Sequence, residues 1–184
     1  MSDISFEDRT VIVTGAGNGL GKAYAIELGN RGAKVVVNDL GGSVDGSGSG
    51  STPADEVVNE IIANGGEAVA NYDSVATKDG GEAIVQTAID NFGTVDAVIN
   101  NAGILRDKSF AKLSEEELSL VIDVHLKGAF FVSQPAFKVM KEKNYGRIVN
   151  VASPSGLFGN FGQSNYGAAK MGIVGLTNVL AIEG

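Results

Sequence analysis

The sequence predicts an α/β domain in which helices cover both faces of a parallel, doubly wound β-sheet. Short segments rich in valine and isoleucine alternate with longer segments of helical character along the whole chain. Each short segment has the composition of a strand buried on both faces, which is typical of parallel sheets with helical crossovers. No internal repeat or interdomain linker divides the 184 residues, so we expect a single domain over 1–184.

The individual elements follow from the hydrophobic pattern and from the glycines that end helices. Strands are predicted over 10–14, 33–39, 67–73, 95–103 and 146–153. Helices are predicted over 22–32, 53–66, 78–93, 114–144 and 162–184. Ser114 and Glu117 have capping-box spacing, so the fourth helix should begin at Ser114. Pro135 lies inside that helix and should kink it or confine the strain to one side.

Residues 40–52, "LGGSVDGSGSGST", have the glycine and serine content of a flexible segment. They resemble a linker in composition, but they stand between a strand and the helix that must cross back over the same sheet. We therefore predict a surface loop within one domain.

The composition disfavours several classes of protein and leaves small molecules as the expected partners. The chain has 22 acidic and 14 basic side chains, and its formal net charge of −8 argues against nucleic-acid binding. It has no cysteine and one histidine, so we expect neither disulfides nor a metal site. No apolar run approaches the length of a membrane span, and the acidic, polar N-terminus does not resemble a targeting peptide. We expect a cytoplasmic location.

The segment "GAGNGLG" after the first strand is the first candidate for a ligand site, because ligands of such sheets bind at the carboxyl ends of strands. Gly15, Gly19 and Gly21 fit the spacing G-x-x-x-G-x-G, whereas a strict G-x-G-x-x-G pattern fails at Leu20. Gly15 would permit the tight turn and Gly19 the approach of a pyrophosphate. Gly21 would let the helix pack closely on the sheet. The alternative is an ordinary glycine-rich turn.

Asp39 ends the second strand and should lie at the same edge of the sheet. An acidic side chain there can accept hydrogen bonds from both ribose hydroxyls of an adenosine, and it would repel a 2′-phosphate. No arginine follows closely, so the sequence favours NAD over NADP. The alternative is a solvated loop carboxylate.

Tyr166 and Lys170 stand four residues apart in "SNYGAAKMG", which places both side chains on one face of a helix. The same spacing also occurs in exposed pairs on solvated helices. A free tyrosine titrates near pH 10, so proton transfer at neutral pH would need help from the lysine. A cation one turn away favours the phenolate, which makes the pair a candidate for acid–base chemistry.

Three motifs together resemble the short-chain dehydrogenase/reductase family, in that family's order and spacing. They are "TGAGNGLG" after the first strand, "NNAG" at 100–103 and "YGAAK" at 166–170. Each motif is weak by itself, but the set on an alternating βα pattern is specific. The resemblance implies a Rossmann-type fold and hydride transfer between a nicotinamide and the carbon of a secondary alcohol.

The resemblance also implies roles for individual residues. Tyr166 would be the general base, and Lys170 would support it and hydrogen-bond the nicotinamide ribose. Ser153, after the fifth strand, would be the second donor to the substrate oxygen, with Ser155 as the competing candidate. The residues assigned to the cofactor are Gly15, Asn18, Gly19, Leu20, Gly21, Asp39, Asp73, Asn100, Ala102, Gly103, Tyr166 and Lys170. Asn100 has an alternative role as a structural residue that stabilises the sheet.

His125, in "VHLKG", departs from the common pattern of the family, in which an asparagine stands at this position of the long helix. That asparagine helps a water chain to reach the lysine. Because a histidine can also hold a water as donor or acceptor, His125 joins the predicted catalytic residues. The alternative is a histidine that packs inside the helix bundle.

Longer strings resemble the (3R)-hydroxyacyl-CoA dehydrogenases of this family, which occur as domains of peroxisomal multifunctional enzymes and as separate bacterial proteins. These strings are "VVVNDLGG", "ANYDSV", "NNAGILRDKSF", "DVHLKGAFF" and "GNFGQSNY". The implied reaction is the NAD-dependent oxidation of a 3-hydroxyacyl-CoA, with the peroxisome as the alternative location. Other readings are a dehydrogenase for a steroid or an acyl-carrier-protein thioester, or a non-catalytic dinucleotide-binding protein.

Two further expectations concern the C-terminal part and assembly. The family fold continues after the helix of Tyr166 with a strand, a substrate-covering loop and a last strand, so these parts are expected to be absent from a chain ending at Gly184. The helices from Ser114 and from Gln163 resemble those that form the family's dimer interface. We therefore expect a homodimer or a homotetramer.

Overall fold

The computed structural model describes residues 4–43 and 45–184, and it contains a five-stranded parallel sheet. The strands are β1 (Thr10–Thr14), β2 (Lys34–Asn38), β3 (Glu67–Asn71), β4 (Ala97–Asn100) and β5 (Arg147–Asn150). Their order across the sheet is β3-β2-β1-β4-β5. The chain winds outward from β1 in both directions, which confirms the predicted doubly wound α/β fold.

The strands are in register, so their carboxyl ends lie together at one edge of the sheet. Val13 of β1 pairs with Val37 of β2 on one side and with Ile99 of β4 on the other. The winding direction reverses between β1 and β4, and ligands of this fold class bind in the crevice at that point. The segments after β1, β2, β4 and β5, which carry most of the predicted site residues, all meet at this edge.

Helices cover both faces of the sheet. In the part of the chain that the structure describes, the α-helices are α1 (Gly19–Asn30), α2 (Thr52–Ala63), α3 (Lys78–Phe92), α4 (Glu115–Ile122), α5 (Gly128–Glu142), α6 (Pro154–Phe158) and α7 (Ser164–Glu183). Ile61 of α2 belongs to a core with Val35, whereas Ile84 of α3 belongs to the opposite core with Ile12. Among these helices, none is long and apolar enough to cross a membrane.

The single helix predicted over 114–144 is divided by a π-helical turn at Asp123–Lys127. Before it, Ser114 caps α4 with the predicted capping box, in which its side chain accepts from the Glu117 N–H. After it, α5 continues to Glu142. The change from α-helical to π-helical geometry widens the helix at His125, which is one of the predicted catalytic residues.

Pro135 lies inside α5, and the helix continues through it. A proline at this position leaves the carbonyl of Phe131 without its usual helical donor. Gly81 of α3 packs against that carbonyl, since a Cβ added at Gly81 would lie 2.5 Å from its oxygen. The close approach of α3 is therefore one way in which the structure covers the carbonyl that the proline frees.

Candidate active site

Three glycines shape the turn between β1 and α1 at the crevice. Gly15 has a φ of +62°, and a Cβ there would lie 2.7 Å from the Cα of Ala102. Gly21 packs directly against the carbonyl of Gly15, so that position cannot take a side chain. Gly19 has a φ of +55° and faces open space. The turn thus combines close packing at two glycines with a free surface at the third, which a phosphate could approach.

A cleft of about 390 Å³ runs along this turn and over the ends of β2 and β4. Of the residues assigned to the cofactor, those that line it are Gly15, Asn18, Gly19, Asp39, Asp73, Ala102 and Gly103. Leu20 is 63% exposed on the first turn of α1, and Gly21 is buried beneath the turn. The Gly/Ser loop closes one side of the cleft, where Gly46 approaches the side chain of Ile104.

Asp39 is held at the wall of the cleft by backbone donors. Its Oδ2 accepts from the Gly17 N–H at 2.8 Å, and its Oδ1 accepts from the Gly41 N–H at 2.7 Å. Each carboxylate oxygen can accept a second hydrogen bond, so both remain available to ribose hydroxyls. The Asp39 carboxylate is thus half-buried and fixed in orientation, which distinguishes it from the freely solvated loop carboxylate of the alternative interpretation.

Asn100 lies beneath the crevice and is engaged by its neighbours. Its Nδ2 donates to Ser133 Oγ and to Asn150 Oδ1, both at 2.8 Å. These bonds connect β4 with α5 and with β5. They favour the alternative in which Asn100 stabilises the sheet over a direct contact with a cofactor.

α7 carries Tyr166 and Lys170 on one face, as their spacing predicts. Nζ of Lys170 lies 5.6 Å from the centroid of the Tyr166 ring and donates to the carbonyl of Val151 at 2.6 Å. Lys170 is only 3% exposed, and burial lowers its pKa to about 8, because the ammonium loses solvation. The lysine is therefore mostly cationic at pH 7, beside a half-buried tyrosine.

Ser153 is the N-cap of α6, and its Oγ accepts from the Ser155 N–H at 3.2 Å. Accepting this bond leaves the hydroxyl hydrogen of Ser153 free to be donated. The competing Ser155 donates its own hydroxyl to Gln163 Oε1 at 2.8 Å. Because the Ser155 hydroxyl is already engaged, Ser153 is the better candidate for a contact with substrate.

His125 is buried between the turn after β4 and α7. Its ring centroid lies 5.1 Å from that of Tyr166, and the two rings are nearly perpendicular. Burial and, to a smaller extent, the charge of Lys170 lower the pKa of His125 to about 4. The structure thus places a neutral imidazole against the edge of the Tyr–Lys pair, inside the helix bundle.

A sequence model described as short chain dehydrogenase matches residues 9–184. The chain belongs to the short-chain dehydrogenase family. This membership agrees with the resemblance that the three motifs carry and with the Rossmann-type sheet.

Relatives of this short-chain dehydrogenase include longer proteins. The peroxisomal hydratase-dehydrogenase-epimerase of Saccharomyces cerevisiae is 60% identical over 182 residues, which are 99% of this chain and 20% of that protein. A short chain dehydrogenase from Mycobacterium avium matches with a TM-score of 0.86 at 48% identity, over 94% of this chain and 62% of that one. The full-length peroxisomal multifunctional enzyme type 2 from Drosophila melanogaster matches with a TM-score of 0.81 at 48% identity, over 98% and 29%. The chain spans less than two thirds of each of these relatives.

Sequence reasoning missed several residues that hold the dehydrogenase crevice together. Nδ2 of Asn101 donates to the carbonyls of Thr14 and Gly15, both at 3.0 Å. Thr14 Oγ1 accepts from the N–H groups of Asn101 and Ala102, both at 3.1 Å. Gly17 was also missed, although a Cβ there would lie 2.8 Å from the Asp39 carboxylate. The motif "NNAG" offered a signal for Asn101, because it contains two asparagines, but only the first, Asn100, was assigned to the cofactor.

Proposed function

We propose that this short-chain dehydrogenase oxidises a secondary alcohol with NAD, and that the alcohol is a (3R)-hydroxyacyl-CoA, which becomes the 3-ketoacyl-CoA. The observation that carries the proposal is the buried Lys170 cation beside Tyr166 at the carboxyl edge of the sheet. Lys170 also shares a small cavity with Thr14 and Ala102 of the crevice. Perturbed titratable groups of this kind are concentrated in functional sites.

The crevice residues fit a dinucleotide. The open surface at Gly19 and the free N–H groups at the start of α1 suit a pyrophosphate. The Asp39 carboxylate suits the adenosine ribose, and it disfavours the 2′-phosphate of NADP. When bound, NAD supplies the acceptor for the hydride that leaves the carbinol carbon.

The protein groups manage the proton that accompanies this oxidation. Tyr166 takes the proton of the substrate hydroxyl, and the Lys170 ammonium 5.6 Å from its ring centroid stabilises the phenolate. Ser153 donates its free hydroxyl hydrogen to the substrate oxygen and orients it. The carbonyl of Val151 fixes the lysine in this position.

Exposed aromatic side chains near Ser153 support a substrate with an apolar chain. Phe158, the last residue of α6, is 86% exposed, and Phe161, between α6 and α7, is 90% exposed. Gln163 anchors this segment by donating to Asp107 Oδ2 at 2.8 Å and accepting from Ser155. Such a surface is suited to an acyl group, because apolar area is removed from water when the chain binds.

The proposed assembly is a homodimer or a homotetramer. Exposed apolar side chains on the helices expected at the interface, Phe130 of α5 and Met171 and Val179 of α7, support this. The names of the yeast and fly relatives contain the word peroxisomal, which favours the peroxisome over the cytoplasm as the location.

The decisive experiment follows NADH formation from (3R)- and (3S)-hydroxyacyl-CoA, an acyl-carrier-protein thioester and a hydroxysteroid, with NAD and NADP as oxidants. We expect turnover with the (3R)-thioester and NAD. Tyr166→Phe should lower kcat by about 10²–10⁴-fold while NADH still binds, because the proton acceptor is lost.

Tyr145→Phe is the matched control, since Tyr145 lies at the opposite end of the sheet beneath the Arg9 guanidinium. It should retain full turnover. Turnover of the steroid or the carrier-protein thioester alone would replace the substrate proposal. An unmodified protein that binds NADH but oxidises none of these alcohols would contradict the proposed activity.

A further inference from the structure

His125 is the single histidine of the chain, and it lies where the helix changes geometry. It occupies the middle of the π-helical turn Asp123–Lys127, with 4% of its surface exposed. Such turns are rare and often occur at functional sites. Its Cε1 edge faces Gly103, because a Cβ added at Gly103 would collide with that atom. The ring is thus clamped between the turn after β4 and α7.

One side of the ring faces both polar groups of a single residue. Nε2 lies 3.0 Å from the backbone nitrogen of Ile104 and 2.8 Å from its carbonyl oxygen. A neutral imidazole carries one proton, on either Nε2 or Nδ1. With the proton on Nε2 the ring can donate to the Ile104 carbonyl, and without it the ring can accept from the Ile104 N–H. The backbone of Ile104 therefore suits both neutral tautomers.

The other side of the ring has no protein partner. Nδ1 is buried, and no atom of the described residues hydrogen-bonds with it. Buried polar atoms of this kind are normally satisfied by an ordered water. A cavity of about 10 Å³, lined in part by His125, Lys170, Thr14 and Asn100, offers the space that one water needs.

We propose that His125 is a positioning residue that remains neutral and holds one water in this cavity with Nδ1, and that the charge of Lys170 selects its tautomer. With Lys170 charged, the water accepts from the ammonium and donates to a bare Nδ1, while Nε2–H donates to the Ile104 carbonyl. With Lys170 neutral, Nδ1–H donates to the water and the water donates to the amine. Nε2 then accepts from the Ile104 N–H.

The ring keeps one proton in both states, so the tautomer change moves a proton from Nε2 to Nδ1 and does not alter its charge. These ring protons exchange with solvent during local opening, and the proton of the substrate does not pass through the ring. The inference rests on the proposed function of Tyr166 and Lys170. Because of the tautomer change, the water can hydrogen-bond with both His125 Nδ1 and Lys170 Nζ, whether the lysine is charged or neutral.

The imidazole is neutral mainly because it is buried, and the charged groups that face it act in the same direction. Lys170 and Tyr166 of α7 are the titratable groups on its inner side. On its own turn, Lys127 pairs with Asp123 at 2.7 Å, and both side chains are partly exposed. Burial disfavours the imidazolium, and the buried Lys170 ammonium repels a second cation to a smaller extent, so the pKa of His125 is lowered to about 4.

Nitrogen NMR of protein labelled with ¹⁵N-histidine tests this directly, since one histidine gives two unambiguous ring resonances. At pH 7 we expect the Nε2–H tautomer. Between pH 6 and 10 the two ring shifts should move toward the Nδ1–H tautomer, with a midpoint near the Lys170 pKa of about 8. Lys170→Met should abolish the transition, whereas Lys127→Met, on the same turn, should retain it. Tyr166→Phe should also retain it if the lysine is the cause.

An imidazolium at pH 6, the Nδ1–H tautomer at pH 7, or a tautomer that does not change up to pH 10 would overturn the inference. The measurement needs neither substrate nor turnover. Absence of the transition from the unmodified protein would therefore count against the tautomer assignment. Absence of turnover in a protein that shows the transition would count against the proposed function alone.

Discussion

Two buried charges lie at opposite ends of the sheet, and they differ in how they are neutralised. At the amino ends of the strands, Asp96 accepts from the Thr10 N–H at 2.8 Å and from Lys143 Nζ at 2.6 Å, with Arg9 at 3.4 Å. At the carboxyl ends, Lys170 donates to the carbonyl of Val151. Among residues 4–43 and 45–184, no carboxylate forms an ion pair with Lys170.

The pKa values show the consequence. Burial by itself would raise the pKa of Asp96, but the hydrogen bond from Lys143 and the Thr10 amide outweigh burial and hold that pKa below its usual value. Burial lowers the pKa of Lys170 to about 8, with no carboxylate to offset it. A compensated buried charge serves the fold, whereas an uncompensated one is kept at a cost to stability and is available for chemistry.

The amino-terminal cluster also joins strands that are distant in sequence. The backbone N–H of Asp96 donates to the Thr10 carbonyl at 2.8 Å, and its carbonyl accepts from the Arg147 N–H at 2.9 Å. The guanidinium groups of Arg9 and Arg147 lie 4.1 Å and 4.9 Å from the centroid of the Tyr145 ring. Asp96 thus ties the beginnings of β1, β4 and β5 together.

Lys170→Met gives the largest expected effect and tests the carboxyl end. It should lower kcat by about 10²–10⁴-fold, because Tyr166 loses the cation that stabilises its phenolate. The free energy of unfolding should stay the same or rise, since an unpaired buried charge is replaced by an apolar chain of similar length. Steady-state kinetics and urea unfolding measure the two quantities.

Lys138→Met, on the exposed surface of α5, is the matched control and should change neither quantity. If Lys170→Met instead lowers the free energy of unfolding by several kcal/mol, the Lys170 charge stabilises the fold as the Asp96 charge does. The proposed difference between the two ends of the sheet would then be wrong.

Asp96→Asn gives the second effect and tests the amino end. The free energy of unfolding should fall by about 2–4 kcal/mol, less than for a fully enclosed pair because Arg9 and Lys143 are partly exposed. The kcat per folded molecule should not change. Urea unfolding checks the first value, and turnover corrected for the folded fraction checks the second.

Asp90→Asn is the control for this variant, because Asp90 is exposed on α3 and its carboxylate accepts from Gln86 in the same helix. Its stability should change by less than about 0.5 kcal/mol. A loss of turnover in Asp96→Asn at full folding would assign Asp96 a part in the site.

The carboxyl end could largely be predicted from sequence, because its signals are local. Gly15, Gly19 and Gly21 act through their own backbone and nearest neighbours, so a spacing of a few residues carries their role. The Tyr166–Lys170 pair shares one helical face for the same reason. The assignment of Asn100 to the cofactor stays a prediction, whereas the contacts of Asn101 with the turn after β1 were not predicted. A strand residue and its successor point to opposite sides, and the sequence does not say which side faces the crevice.

The amino end could not be predicted, because its partners are far apart in the chain. Thr10 and Asp96 are separated by 86 residues, and Asp96 and Lys143 by 47. Only the strand order brings them together. The π-helical turn was missed for a related reason, since the hydrophobic pattern of 114–144 does not distinguish a widened turn from a continuous helix.

The pH dependence of stability is the last effect, and it separates the two ends. Both folded pKa values lie below the unfolded ones, so each contribution is full above the unfolded pKa and is lost as the pH falls through the folded pKa. For Asp96 the loss begins below the unfolded value of 3.8, and for Lys170 it runs from 10.5 down to about 8. For Lys170, the difference between 10.5 and about 8 corresponds to about 3 kcal/mol of stability.

Urea unfolding of the unmodified protein and both variants across pH 3–11 resolves these windows. Lys170→Met should remove only the alkaline rise in stability, and Asp96→Asn should remove only part of the acid loss. The slope of the free energy of unfolding against pH differs between the unmodified protein and each variant. That difference gives the number of protons that the substituted group releases on folding. An alkaline rise that survives in Lys170→Met would mean that the lysine is solvated or paired, and the buried, uncompensated cation on which the proposed proton transfer depends would then not exist.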